Sequence, residues 1–139
     1  MGKILVNIKI TNRGDEIAAK RGFISSNKVR FVELKNVLVD TGADTLCLPI
    51  SMINYLGLDF VEDRRIKTAN GIIKSGLYFD AKVQIGERMA TVETIALPDG
   101  IPPLLGVLPL EQLGITLNPK TQSIDFLPID GENTYMTVY

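Results

Sequence analysis

Turn signals recur along this chain at short intervals, and what lies between them must be short strands and a few short helices. Asn12 to Glu16, Lys35-Asn36, Asn70-Gly71, Gly86, Pro98 to Pro103 and Asn118 to Thr121 are the clearest of these breaks. Ile4, Val6, Ile8 and Ile10 alternate with Lys3, Leu5, Asn7 and Lys9, the pattern of a half-buried strand ending near Thr11-Asn12. Ile17 to Ser26 fits short strands or loop. Val29 to Leu34 is β-branched and aromatic, a second strand. Lys35-Asn36 then turns the chain into Val37-Leu38-Val39.

Leu46 to Pro49 reads as a short strand, after which Ser51 can cap a helix over Met52 to Leu56 that Gly57 stops. Arg64 to Thr68 and Ile72 to Ile85 form the arms of a hairpin joined at Ala69-Asn70-Gly71, since Asn-Gly is the strongest short hairpin signal. Glu87 to Leu97 is a further strand. Pro109 to Leu113 is a short helix with Gly114 after it, and Ile115 to Leu117 pairs with Ser123 to Leu127. The expectation is one mostly β domain over 1–139, with a core from about 3 to 127, a tail at 128–139, and a closed barrel carrying one or two short helices.

Composition removes whole classes of chemistry. The net charge is −1 and the cations are scattered, so the basic patch that nucleic acid requires is missing. No apolar run approaches the ~20 residues of a membrane helix. The first ten residues alternate instead of forming a signal peptide's apolar stretch, and the lone Cys47 fits a cytoplasmic setting. With no histidine, Ser-His-Asp and Cys-His catalysis are excluded and a zinc site loses its main nitrogen ligand. No metal or cofactor is expected. Acid–base work falls to carboxylates, lysines or tyrosines.

The segment that carries chemistry is Val37-Leu38-Val39-Asp40-Thr41-Gly42-Ala43-Asp44-Thr45. A carboxylate at the end of a buried apolar strand is costly unless something holds it. Thr41 offers a hydroxyl, and Gly42 lets backbone amides approach. Asp-Thr-Gly is also an ordinary surface turn, but such a turn has no need of apolar strands on both sides. Cys47, between two leucines, reads as a small core residue, and Leu110 and Leu113 as core. Arg64, Arg65 and Lys67 read as a solvated face, and Tyr135 and Tyr139 as packing or tail residues.

Three features in order resemble the retropepsin-like aspartic peptidases, closest to small stand-alone bacterial members. They are the Asp40-Thr41-Gly42-Ala43-Asp44-Thr45 segment, the hairpin tipped by Ala69-Asn70-Gly71 in the place of the family's flap, and Leu104-Leu105-Gly106 before a short helix. The resemblance runs from about Lys3 to Leu127. It implies the family's acid-protease barrel with one half-site per chain, so that two chains of a homodimer each donate Asp40. Such enzymes hold two carboxylates sharing one proton, one acting as base on water while the other protonates the scissile carbonyl. Asp99-Gly100 and Asp130-Gly131 are not second copies, because neither follows a buried apolar strand.

By that resemblance Thr41 braces the paired loops across the axis and Gly42 lines the substrate backbone. Ala43, Asp44 and Ala69 fall at substrate-contacting positions. Asn70 and Gly71 close over the peptide, and Leu46 and Leu104 are pocket candidates. The chain departs from the viral pattern at Val107, which stands where an Arg would pair with the residue at Asp44, and in carrying a single flap glycine. The alternative is a non-catalytic peptide- or protein-binding module on the same fold.

Overall fold

The computed structural model describes residues 3–128. They are mostly β, with three short α-helices. β1 (Leu5–Asn12) buries Val6, Ile8 and Ile10, as its alternation requires. The following segment is neither a turn nor strand but helix α1 (Arg13–Lys20). Asn12 caps it by accepting the Asp15 amide at 3.0 Å, and Asp15 and Glu16 sit in the first turn, where the helix dipole favours acids. Residues of α1 are at most half-buried, which is why no hydrophobic period marked it.

β2 (Phe31–Val39) runs through the expected Lys35-Asn36 turn without ending. Asn36 takes the left-handed conformation (φ 57°) and donates its amide to Asn7 Oδ1, making a bulge where a break was expected. β3 (Leu46–Pro49) leads into α2 (Ile50–Leu56), which Gly57 stops at φ 66°. The helix is not capped by Ser51. Instead Ser51, in its first turn, donates its amide to the Asp99 carboxylate at 3.0 Å, from the distant Pro-rich loop. That bond holds the Asp99 carboxyl below the usual range.

β4 (Asp59–Thr68) and β5 (Gly71–Ile85) make the long hairpin, and β6 (Arg88–Leu97) continues it. β7 is only Leu104–Leu105, followed by α3 (Val107–Leu113), and β8 (Ile115–Asn118) pairs with β9 (Ser123–Phe126) in a separate ribbon. The helices number three, against the one or two expected. In the main sheet the strands run β1-β2-β7-β3-β6-β5, and β5 pairs back onto β1, so the pairings form a ring with β4 outside it. Ile10, Leu46, Leu48, Ile53, Leu56, Val83 and Leu105 fill the core. Leu110 and Leu113 join it, while Arg64, Arg65 and Lys67 are exposed, as expected of each. Tyr135 and Tyr139 lie outside the described residues.

Candidate active site

The seat of Asp40 is built by β7. Its two residues wedge between β2 and β3, parallel to one (Leu38 opposite Leu104, Val39 opposite Leu105) and antiparallel to the other (Leu46 opposite Leu105, Cys47 opposite Leu104). Strand alternation then sorts the side chains into two rows. Val39, Leu105, Leu46 and Thr94 share the core side. Leu38, Leu104, Cys47, Ile95 and Leu77 line the other.

Asp40 follows β2 directly and is half-buried. Its amide donates to the Leu105 carbonyl at 3.0 Å, and its carbonyl accepts the Ala43 amide at 3.0 Å. The carboxylate oxygen Oδ1 accepts the Gly42 amide at 2.9 Å. A side chain at Gly42 would begin 3.1 Å from that oxygen, so the glycine keeps the approach open. The far side of the loop is fastened as firmly. Gly106 donates to the Thr45 carbonyl, Val107 to Ala43 (both 3.0 Å), and Leu108 to Asp44 at 2.9 Å. The Thr45 hydroxyl donates to the Glu93 carbonyl on β6.

Thus Asp40, Thr41, Gly42, Ala43 and Asp44 form one loop, with Leu104 beside it. Thr41, Gly42 and Asp44 are exposed. Asp44 has no ion pair among the described residues, and Val107, in place of a cation, begins α3. Leu46 has 0% exposure and faces the core, so it supports β3 from behind. The side chain on the opposite row is that of its neighbour, Cys47, half-buried like Leu38 and Leu104, whereas Ile95 and Leu77 of that row are buried. Burial pushes the Cys47 thiol up to about 11, and the charges of Asp40 and Asp44 add to the shift. It is therefore a protonated wall residue at neutral pH, not a nucleophile.

Ala69 and Asn70 form the exposed tip between β4 and β5, and Gly71 opens β5 at φ 119°, a conformation that favours glycine. Thr68 Oγ1 ties the tip by donating to the Gly71 carbonyl at 2.8 Å and accepting the Asn70 amide at 3.2 Å. No hydrogen bond among the described residues joins this tip to the Asp40 loop. Sequence reasoning named Thr45 and Leu105 only as motif members, without these bonds, and passed over Glu93. The three act through backbone atoms or at long range, where no residue pattern advertises them. Among the described residues, no cluster of acidic or sulfur side chains could hold a metal ion.

A strand-borne Asp-Thr-Gly loop is fastened here by an apolar-apolar-Gly segment from the C-terminal third, an arrangement consistent with an aspartyl protease-like domain. The family model described as "gag-polyprotein putative aspartyl protease" matches residues 32–112, spanning β2 through most of α3. The chain belongs to this retropepsin-like aspartyl protease family. No curated protein matches the sequence. No helix among the described residues is long and apolar enough to cross a membrane.

Proposed function

We propose that the chain is half of a homodimeric aspartic endopeptidase whose two Asp40 carboxylates activate a water for attack on a peptide bond. The observation that carries this reading is the seat of Asp40. One oxygen is oriented by the Gly42 amide and the residue is fixed by Leu105, while the loop stays open to solvent. Asp-Thr-Gly occurs once in the chain, so the second carboxylate comes from a second copy about a two-fold axis. Charge repulsion leaves one shared proton on the pair, which makes one carboxyl the base and the other the acid.

In this reading Thr41 and Gly42 support the paired loops and the substrate backbone. Ala43 and Asp44 face the peptide, and Ala69, Asn70 and Gly71 close over it. The row Leu38, Leu104, Cys47 beside Asp40 receives an apolar substrate side chain. Without a cation at Val107, Asp44 is free to contact the peptide backbone. The lone, protonated Cys47 is consistent with a cytoplasmic setting.

The test is digestion of a diverse peptide mixture across about pH 3 to 8, with wild type beside Asp40→Asn. Because only the singly protonated pair works, cleavage by the wild type should be bell-shaped in pH on the acidic to near-neutral side and should vanish in the variant. Undiminished cleavage by Asp40→Asn would sink the mechanism. No cleavage by either protein, at concentrations where sedimentation shows a dimer, would point to the binding module instead.

A further inference from the structure

The solvent side of β6 carries a groove that the Asp40 chemistry leaves unused. Two hollows, of about 310 and 210 Å³, share Thr91, Val92 and Glu93 as lining. Leu108 and Glu111 of α3 border the first, and Phe79 and Asp80 of β5 border the second. The groove is therefore continuous across β6, between a helix and the bulge that shifts the register of β5 between Tyr78 and Ala81.

Its chemistry is one-sided. Phe79 and Leu108 leave 40% and 52% of their surface exposed, so each offers apolar surface to a bound segment. Glu93 and Glu111 are exposed and Asp80 is half-buried. No Lys or Arg lines either hollow. The cation opposite Thr91 in register is Lys82, and Glu16 of α1 already holds its ammonium at 2.5 Å. Arg88, at the far end of β6, is occupied with the Leu113, Gly114 and Leu127 carbonyls. The three carboxylates thus keep an uncompensated field over exposed apolar surface.

The groove also adjoins the Asp40 loop. Thr45 lines the first hollow and its hydroxyl binds the Glu93 carbonyl, while the Leu108 amide binds the Asp44 carbonyl at 2.9 Å. We infer that this groove docks an extended polypeptide segment in which Lys or Arg residues flank apolar ones. Cations on that segment meet Asp80, Glu93 and Glu111, and its apolar side chains cover Phe79 and Leu108. Nucleic acid and acidic peptides are repelled by the same field. Calling the docked segment part of a substrate rests on the peptidase reading, but the docking itself needs no catalysis. The site would hold a substrate by a stretch remote from the bond to be cut.

The experiment is equilibrium binding of two fluorescein-labelled peptides to the full chain. One alternates Lys and Arg with Leu, and the other replaces each cation by Glu. The proteins are wild type, Asp40→Asn and the double variant Glu93→Gln/Glu111→Gln, with thermal melts to verify folding. Wild type and Asp40→Asn should bind the basic peptide equally, in a salt-sensitive manner, and the acidic one far more weakly. The double variant should bind the basic peptide about five-fold more weakly or worse, the scale expected for losing two exposed charge contacts. Glu111→Lys should shift preference toward the acidic peptide. Equal binding of both peptides, or unchanged binding by a folded double variant, overturns the inference. So does sedimentation showing that the double variant alters self-association while neither peptide binds, because the groove would then be covered by a second copy. A failure of Asp40→Asn to abolish cleavage bears only on the catalytic mechanism, because docking is read without turnover.

Discussion

Gly106 shows how much one absent methyl group can decide. Its φ of −90° suits any residue, so conformation does not demand glycine there. Space does: a Cβ would stand 2.5 Å from the Ala43 carbonyl oxygen, 2.6 Å from that of Thr45 and 2.7 Å from the Thr45 nitrogen. All three are backbone atoms of the Asp40 loop and cannot rotate away. Gly106→Ala should therefore destabilise by about 2 kcal/mol or more and displace the loop, read as a lower denaturation midpoint and lost cleavage. Thr94 is the converse case. Its hydroxyl is the one buried side-chain polar atom among the described residues without a hydrogen-bond partner. Thr94→Val should be neutral to stabilising by about 1 kcal/mol in a chemical melt, and a loss of stability would show that the hydroxyl has a partner after all. At this scale the motifs around Asp40 and Gly106 were visible in the text, and the structure places the two segments side by side. The sequence misled at Leu46, because two adjacent strand residues face opposite ways and text alone does not say which one faces in.

Among elements, β1, β3, the β4–β5 hairpin and the β8–β9 ribbon were legible because alternation and turn chemistry agreed. Helix α1 was not, since it rests on one cap and on ion pairs instead of an apolar stripe. Asp15 meets Arg30 at 2.8 Å, and Glu16 meets Arg13 at 2.9 Å and Lys82 at 2.5 Å. β7 escaped for a different reason: two residues are too few to show a period. Asn12 joins two of these elements. Its Oδ1 caps α1, while its Nδ2 donates to the Leu56 carbonyl at 2.7 Å and the Gly57 carbonyl at 3.1 Å, closing the end of α2. Asn12→Ala should cost about 2–3 kcal/mol, the sum of a lost cap and unsatisfied buried carbonyls. Amide hydrogen exchange should then speed up in α1 and at the α2–Gly57 end together. Faster exchange confined to α1 would refute the coupling.

For the whole molecule, acid sets the lower limit of use. The hydrogen bond from Arg30 holds the Asp15 carboxyl below its ordinary range, against the cost of its burial. Burial works against ionisation of Glu16, yet Lys82 and Arg13 outweigh it and the net shift is downward. The Ser51 amide does the same for Asp99. Folded-state values below the unfolded ones mean that these groups stabilise the fold above about pH 4, and that this contribution fades as pH falls further. Melting temperature should therefore decline below about pH 4, and replacing Asp15 with Asn should flatten that decline. A melting temperature indifferent to pH between about 3 and 6 would contradict it. Digestion assays at the acidic end must accordingly be read beside a melt, since lost activity there can report unfolding instead of a change in the proposed catalytic group.

The wedge of β7 between β2 and β3 also has a consequence in time. A ribosome completes Asp40 and its loop long before it makes Leu104, Leu105 and Gly106, the residues that seat them. Until that late segment returns across the chain, β2 and β3 have no strand between them, and closing so long a loop is among the slower events of folding. A nascent or truncated chain that stops short of β7 holds every atom of the Asp-Thr-Gly motif but lacks the bonds from Leu105, Gly106, Val107 and Leu108 that fasten it. The loop therefore gains its full set of bonds only once residues 104–108 have emerged.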